Sequence, residues 1–239
     1  MVYTLAVICW VVVETAFFCI VVILTSIFDR NGKYMHNIAR VWARGILFVS
    51  RIKVTTKGFD NIDPSGFYIC MSNHLSNYDI PILLAFLPIQ FRWLIKKELY
   101  KIPLFGFTLK RAGYIRIDRA NRLSAIRSIK EAAAIIRNGV SVMIFTEGTR
   151  SKDGNLQSFK KGGFVLAVES GVPILPIIIH GTYRIMPKKR IRIIPGNVIL
   201  EVCPPVEVSD YTMKTKDELL TNVRNVILNA YEKGKAQKL

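Results

Sequence analysis

The chain has 239 residues, enough for one catalytic domain of ordinary size and a short extra segment. It carries 34 Lys and Arg against 17 Asp and Glu, a formal net charge of +17, and 51% of it is hydrophobic. Nucleic-acid-binding proteins are also basic, but they rarely open with an apolar segment like this one, so we expect anionic lipid and not nucleic acid as the partner. The four cysteines form no Cys-x-x-Cys pair, which argues against a disulfide framework or a zinc site.

Residues 2–28 are apolar, with Glu14 as their one charge. The segment is long enough to cross a bilayer core, which needs about 20 residues. Because no basic residue precedes it, we do not expect a cleavable signal peptide. Residues 34–50 repeat apolar side chains at helical spacing, but Arg40 and Arg44 suit an interfacial helix better than a second span.

Residues 1–51 therefore predict a membrane-associated pair of helices, with two topologies open. In one, residues 2–28 cross the membrane, and the following cations leave the catalytic domain on the cytoplasmic face. These cations are Arg30, Lys33, Arg40 and Arg44. In the other, which we favour, both helices form a hairpin that dips into one leaflet. The apolar length argues against a pair of helices simply buried on the catalytic domain.

Residues 52–239 alternate strand-like and helix-like segments and predict one catalytic domain. The predicted strands are 52–57, 67–72, 91–95, 113–117, 141–145, 174–179, 191–194 and 197–203. The predicted helices are 80–87, 120–138, 159–170 and 215–233. Strands interleaved with helices predict an α/β fold with a mostly buried mixed sheet flanked by helices.

The segment Asn73–Asp79 follows the strand predicted at 67–72. His74 leaves the strand end, and Asp79 can accept the second imidazole N–H, which fixes the tautomer and leaves the other nitrogen as a base. Five residues of continuous helix would separate the two side chains, so a turn must lie between them. The alternatives are that Asp79 only caps the next helix and that His74 is a core histidine.

The segment Gly113–Arg119 is a short strand that delivers Arg116 and Arg119, with Asp118 able to hold one of them. Two neighbouring guanidinium groups suit a phosphate monoester, although surface salt bridging is the common alternative. A second loop, Phe145–Ser151, follows the strand predicted at 141–145.

This second loop combines the carboxylate of Glu147, a glycine whose backbone a ligand can approach closely (Gly148), Thr149 and the cation of Arg150. The combination suits a small molecule with hydroxyl and phosphate groups. The alternative is a solvated turn with Arg150 exposed.

Four blocks, in this order, resemble the glycerolipid acyltransferase superfamily, most closely the bacterial 1-acyl-sn-glycerol-3-phosphate acyltransferases. The blocks are Asn73–Asp79, Gly113–Arg119, Phe145–Ser151 and Val172–Pro176. One block alone is a weak match, but four in sequence are a strong one, and the resemblance covers residues from about Lys53 to about Cys203. Thr149, where relatives that act on unacylated glycerol phosphate often carry Gly, favours the lysophosphatidic acid enzymes.

The resemblance implies transfer of a fatty acyl group from a thioester to the sn-2 hydroxyl of 1-acyl-sn-glycerol-3-phosphate (lysophosphatidic acid), which gives phosphatidic acid. His74 is implied as the general base, a role worth about 10²–10⁴-fold in rate, and Asp79 as the group that orients it. The residues implied in phosphate and glycerol binding are Arg116, Arg119, Glu147, Gly148, Thr149 and Arg150. No metal or cofactor is implied; the co-substrate is acyl-CoA or acyl-carrier protein, and the residues do not choose between them.

Other functions remain compatible with these residues. The acceptor could be another lysophospholipid or glycerol 3-phosphate. A lipid hydrolase would use Ser72 or Ser76 as nucleophile, but the chain has no Gly-x-Ser-x-Gly elbow. A non-catalytic membrane-binding module would use the basic charge and the hairpin alone. A metal site without a recognisable ligand spacing would use His74, Asp79, Glu147 and His180.

Overall fold

The computed structural model describes residues 1–28, 33–118 and 122–236. The helices are α1 (Val2–Thr25), α2 (Lys33–Val49), α3 (Asp79–Phe86), α4 (Phe105–Arg111), α5 (Arg122–Arg137), α6 (Gly162–Ser170), α7 (Thr182–Ile185) and α8 (Lys216–Ala236). The strands are β1 (Ile52–Lys57), β2 (Ile69–Ser72), β3 (Phe91–Lys96), β4 (Ile115–Ile117), β5 (Ser141–Phe145), β6 (Ile174–His180) and β7 (Gly196–Val202). Short 3₁₀ helices cover Phe59–Asn61 and Lys97–Lys101.

Within the described residues, seven strands form one sheet in the order β1-β7-β6-β2-β5-β3-β4. All neighbouring pairs are parallel except β6 and β7, which are antiparallel, so the sheet is mixed. The α/β fold with a mixed sheet is therefore confirmed. The neighbours β2 and β5 lie near the middle of the sheet and end at the same edge, and ligands of such sheets bind outside the carboxyl ends of the strands.

The central strands are apolar without alternation because both faces of the sheet are covered. Ile69, Cys70 and Met71 of β2 are completely buried. One face packs against α2 and α3 in a core that includes Ala43 and Leu83. The opposite face packs against α5, α6 and α8 in a separate core.

Helices α1 and α2 form the predicted hairpin. They run antiparallel, since the Tyr3 hydroxyl at the start of α1 donates to the Val49 carbonyl at the end of α2 (3.3 Å). The absence of a side chain at Gly45 of α2 leaves room for the carboxylate of Glu14 on α1. The helix α2 packs on α3.

Helix α1 is long and apolar enough to cross a membrane. Only 22% of its most apolar window is buried within the protein, which differs from the core helix of a soluble domain. Its exposed side chains include Leu5, Val12, Val13 and Phe17. These features favour membrane association of this segment.

The strand predicted at 191–194 was wrong, because this segment is irregular and pairs with no strand. Ile193 alone turns inward, and its N–H donates to Thr4 Oγ1 of α1 (3.3 Å), whereas Ile191 and Ile194 stay exposed. The short helices α4 and α7 were missed, since both are too brief to show a helical repeat of apolar residues.

Candidate active site

His74 and Asp79 meet at the end of β2. The strand ends at Ser72, and α3 begins at Asp79, so a turn separates the two side chains. His74 Nδ1 lies 2.8 Å from Asp79 Oδ2. Because a carboxylate accepts, Nδ1 carries the proton and Nε2 is left with a free lone pair.

The carboxylate of Asp79 is held from several sides. It is completely buried, and Oδ2 also accepts the backbone N–H groups of Leu75 (2.7 Å) and Ser76 (2.8 Å). Oδ1 has no partner among the described residues. Two backbone donors therefore fix the position of Asp79 independently of its hydrogen bond to the imidazole. The N–H groups of Leu75 and Ser76 are occupied by this carboxylate and are not free to stabilise an oxyanion.

The imidazole plane is set by an aromatic stack. The ring of His74 lies parallel to that of Phe145 (6°), with 3.7 Å between centroids, and Trp93 packs against Phe145 at 5.3 Å. Phe145 is the last residue of β5, beside β2. The side chain of His74 is 13% exposed, so one edge reaches open space.

Glu147 lies beneath the turn that carries His74. Its Oε1 accepts the backbone N–H of His74 and its Oε2 that of Gln157, both at 2.9 Å. Burial raises the pKa of Glu147 to about 6 despite these two hydrogen bonds, which lower it. Only 1% of the residue is exposed, so the structure places Glu147 as a support for the His74 backbone and not in the wall of the cavity described below.

Asn73 is a structural residue of the site that sequence reasoning missed. Its Nδ2 donates to the carbonyl of Ile179 (3.0 Å), and its Oδ1 accepts the N–H of Ile179 (2.8 Å). The side chain therefore continues the β2–β6 pairing beyond the last backbone pair and fixes where His74 leaves the sheet. An amide next to a histidine at a strand end was the available signal.

Thr149 and Arg150 lie on the loop after β5, and Lys188 holds this loop. The Lys188 ammonium donates to Thr149 Oγ1 (2.8 Å) and to the Arg150 carbonyl (3.1 Å). Gly148 has φ +70°, a conformation that favours glycine. The loop returns to the catalytic turn, since the Ser151 N–H donates to the His74 carbonyl (2.8 Å). Within the described part of the chain, the guanidinium of Arg150 makes no salt bridge.

Arg116 is exposed in the middle of β4, close to Tyr100. The strand lies three strand spacings, about 14 Å, from β2. Arg119 lies outside the described residues. Asp118 pairs with Lys97, whose Nζ lies 2.6 Å from Asp118 Oδ2. That Asp118 also holds one of the two arginines stays a prediction.

A cavity of about 430 Å³ opens beside His74. Its polar mouth contains His74, Asn77, Gly148, Thr149, Arg150 and Lys96. Its apolar walls come from the hairpin and from α4, with Phe18, Val22, Trp42, Phe105 and Leu109 among the contributors. The cavity thus joins an imidazole and a cation to an apolar interior, an arrangement that suits an amphiphile with an anionic head.

The serines needed by a hydrolase are not positioned as nucleophiles. Ser72 and Ser76 are completely buried. The hydroxyl of Ser72 donates to the Asn73 carbonyl, and that of Ser76 donates to the Met186 carbonyl. Neither hydroxyl pairs with the imidazole.

The donor set does not favour a metal. Across residues 1–28, 33–118 and 122–236, no three His, Cys, Asp or Glu side chains are grouped to hold an ion. His180, one of the four ligands considered, pairs with Glu201 instead (3.0 Å).

Comparison with known proteins gives matches over most of the chain. The sequence pattern of the Acyltransferase family matches residues 53–180. A 1-acyl-sn-glycerol-3-phosphate acyltransferase of Limnanthes douglasii is 35% identical over 182 residues, which are 76% of this chain and 64% of that protein. The 1-acyl-sn-glycerol-3-phosphate acyltransferase alpha of Homo sapiens is 32% identical over 84% of this chain and 71% of that protein. This chain thus spans less than two thirds of the length of the plant relative.

Among solved structures, the 1-acyl-sn-glycerophosphate acyltransferase PlsC of Thermotoga maritima superposes with a TM-score of 0.86 at 31% identity. The superposition covers all of this chain and 97% of the other, so it includes the N-terminal hairpin as well as the sheet.

Proposed function

We propose that this chain, which belongs to the Acyltransferase family, transfers a fatty acyl group from a thioester to the sn-2 hydroxyl of 1-acyl-sn-glycerol-3-phosphate and so forms phosphatidic acid. The observation that carries the proposal is the His74–Asp79 pair at the mouth of an apolar cavity that also contains Arg150. The names of the relatives support the same reaction.

His74 acts as the general base in this proposal. Its free Nε2 takes the proton of the acceptor hydroxyl, whose oxygen attacks the thioester carbonyl carbon. The C–S bond then breaks, and the departing thiolate takes the proton from the imidazolium. Asp79 stabilises the imidazolium in a buried setting, and Phe145 holds the ring plane, so the base is preorganised.

The acceptor phosphate binds at Arg150 in this proposal, with Gly148 and Thr149 beside it. These residues line the same cavity mouth as His74, so one small molecule can reach both the base and the guanidinium. Arg116 and Arg119 stay predictions as additional phosphate ligands. The acyl chain of a substrate occupies the apolar walls between the hairpin and α4, where each buried CH₂ contributes about 0.8 kcal/mol.

The hairpin lies in one leaflet of the membrane in this proposal, because both ends of α1 are bonded to the catalytic domain. Thr4 accepts the N–H of Ile193 at one end. At the other end, Arg111 donates to the Ser26 hydroxyl (2.7 Å) and carbonyl (3.0 Å). A helix of 24 residues is about 36 Å long, and a bilayer-spanning orientation would carry one end away from the domain.

The cytoplasmic position of the catalytic domain rests on the positive-inside bias alone. Part of that bias has another role, since the guanidinium of Arg40 donates to the carbonyls of Leu87 and Ile89. Protease digestion of a tag at residue 1, applied from each side of sealed vesicles, tests both points. Cleavage from the cytoplasmic side only is expected, and cleavage from the outer side would contradict the hairpin.

Acyl transfer by the purified chain in detergent micelles tests the proposed reaction. The acceptor is varied among lysophosphatidic acid, glycerol 3-phosphate and other lysophospholipids, and the donor between acyl-CoA and acyl-carrier-protein thioesters. Phosphatidic acid as the main product is expected. A labelled acyl-enzyme on brief exposure to donor would indicate a hydrolase, and absence of any transfer would indicate a non-catalytic module.

A further inference from the structure

The irregular segment 188–194 carries four cations and no acidic residue. Lys189, Arg190 and Arg192 are exposed. Ile191 is 65% exposed and Ile194 is 44% exposed. Two large apolar side chains that stay exposed between cations are unusual for a solvated loop. We call residues 188–194 the basic strip.

The basic strip adjoins the exposed start of α1. Ile193 is buried and donates its N–H to Thr4 of α1. Beside this contact, Met1 and Val2 are each 83% exposed and Leu5 is 55% exposed. Exposed apolar residues of the helix and of the strip are therefore neighbours on one side of the protein.

The basic strip and the residue immediately before it contact both loops of the candidate active site. Lys188 holds the loop of Thr149 and Arg150. Immediately before the strip, Pro187 forms an isolated β-bridge with Ser76 in the turn after His74. The strip thus links the start of the hairpin to the mouth of the cavity.

We propose that the basic strip is a docking surface for an anionic lipid bilayer, distinct from the apolar anchor that the hairpin provides. The inference rests on the membrane setting of the proposed function. Its cations pair with lipid phosphates, while Ile191 and Ile194 enter the interface beside α1. An acidic partner protein would not need exposed isoleucines continuous with an apolar helix, so the bilayer fits these observations better.

Three cations at an anionic surface contribute about 1 kcal/mol each, which corresponds to roughly 10²-fold in binding. The contribution falls as salt rises, since exposed charges are screened over about 8 Å at physiological ionic strength. Helix α1 alone, being apolar, distinguishes little between neutral and anionic vesicles.

The test compares the full chain with the variant Lys189→Gln, Arg190→Gln, Arg192→Gln. Lys188 is left intact because it contacts the active-site loop. The matched control Lys130→Gln, Lys214→Gln, Lys233→Gln removes the same charge; these lysines are exposed on the side of α5 and α8, across the sheet from the hairpin. Co-flotation with phosphatidylcholine vesicles is compared with that on vesicles containing 30% phosphatidylglycerol, and acyl transfer is measured in neutral micelles.

The wild type is expected to prefer anionic vesicles at least 10-fold. The strip variant is expected to lose most of this preference and the control to keep it, with micelle activity unchanged in both. An unchanged preference in the strip variant overturns the proposal. If that variant also shows a raised KM for acyl-carrier-protein thioester alone, the strip binds a protein partner instead of the bilayer. Failure of the proposed function gives a different result from failure of the docking proposal. The wild type would then show no acyl transfer in micelles, while its binding to vesicles could still be measured.

Discussion

The burial of Glu147 is expected to make the stability of the protein depend on pH. Its carboxyl group is buried under the His74 turn, and burial raises its pKa from the ordinary 4.5 to about 6. The folded chain therefore holds this proton more tightly than the unfolded chain does. Because the folded state binds more protons between pH 4.5 and 6, the free energy of unfolding falls as pH rises through this window.

The size of the effect follows from the two pKa values. The difference between 4.5 and about 6 corresponds to about 2 kcal/mol of stability that is present below pH 4.5 and lost above pH 6. Glu147→Gln stays neutral at every pH, but its amide NH₂ faces the N–H of His74 or Gln157, which costs about 1–3 kcal/mol at all pH values. The variant is therefore expected to be less stable than wild type by a margin that shrinks by about 2 kcal/mol between pH 4.5 and 7.

Denaturant unfolding in micelles at several pH values measures this margin. The exposed Glu169→Gln serves as the matched control and is expected to change the unfolding free energy by less than about 0.5 kcal/mol. A margin for Glu147→Gln that stays constant, or that widens as pH rises, would show that the pKa of Glu147 is not raised in the folded chain. It would mean that the two backbone N–H groups stabilise the carboxylate more than burial destabilises it.

Three further substitutions separate the roles assigned at the site. Asp79→Asn keeps the size of the side chain and one acceptor oxygen but removes the negative charge that stabilises the imidazolium, so kcat is expected to fall about 10²–10⁴-fold with KM little changed; a kcat within 10-fold of wild type would contradict it. Arg150→Ala is expected to raise KM for the phosphate-bearing acceptor about 10-fold or more through the lost ion pair, and an unchanged KM removes Arg150 from the phosphate site. Lys188→Met releases Thr149 and the Arg150 backbone, so KM is expected to rise several-fold while Lys214→Met leaves it unchanged; equal KM values for the two variants would show that the loop holds its shape without Lys188.

The sheet and the His74–Asp79 turn could be predicted because their signals are local. Uninterrupted apolar runs mark strands that are buried on both faces. Turn-forming residues between His74 and Asp79 allow the carboxylate to fold back on the imidazole. Each signal lies within a few residues, so no knowledge of the tertiary fold was needed.

The contacts that complete the site could not be predicted, because they join residues distant in sequence. Lys188 reaches a loop 38 residues earlier, and Ile193 bonds to Thr4 across 189 residues. Nothing near either residue in the sequence announces these partners. The same limit affected Arg116, whose distance from His74 is decided by the position of β4 at the edge of the sheet.

Glu147 illustrates how a residue type in a motif leaves its role open. A carboxylate on a tight loop suits hydroxyl binding, but it suits a backbone support equally well. Only the positions of the N–H groups of His74 and Gln157 show which of these contacts it makes. The isoleucines at 191–194 are ambiguous in the same way, because only Ile193 is buried in the fold while Ile191 and Ile194 stay exposed.

In the proposed reaction, the imidazole of His74 is the base that deprotonates the acceptor hydroxyl. Steady-state acyl transfer to lysophosphatidic acid by His74→Ala measures this role, with thermal unfolding recorded on the same preparation to show that the fold is intact. A loss of at least 10² in kcat at an unchanged unfolding temperature is expected. A folded His74→Ala enzyme that turns over within 10-fold of wild type would contradict it.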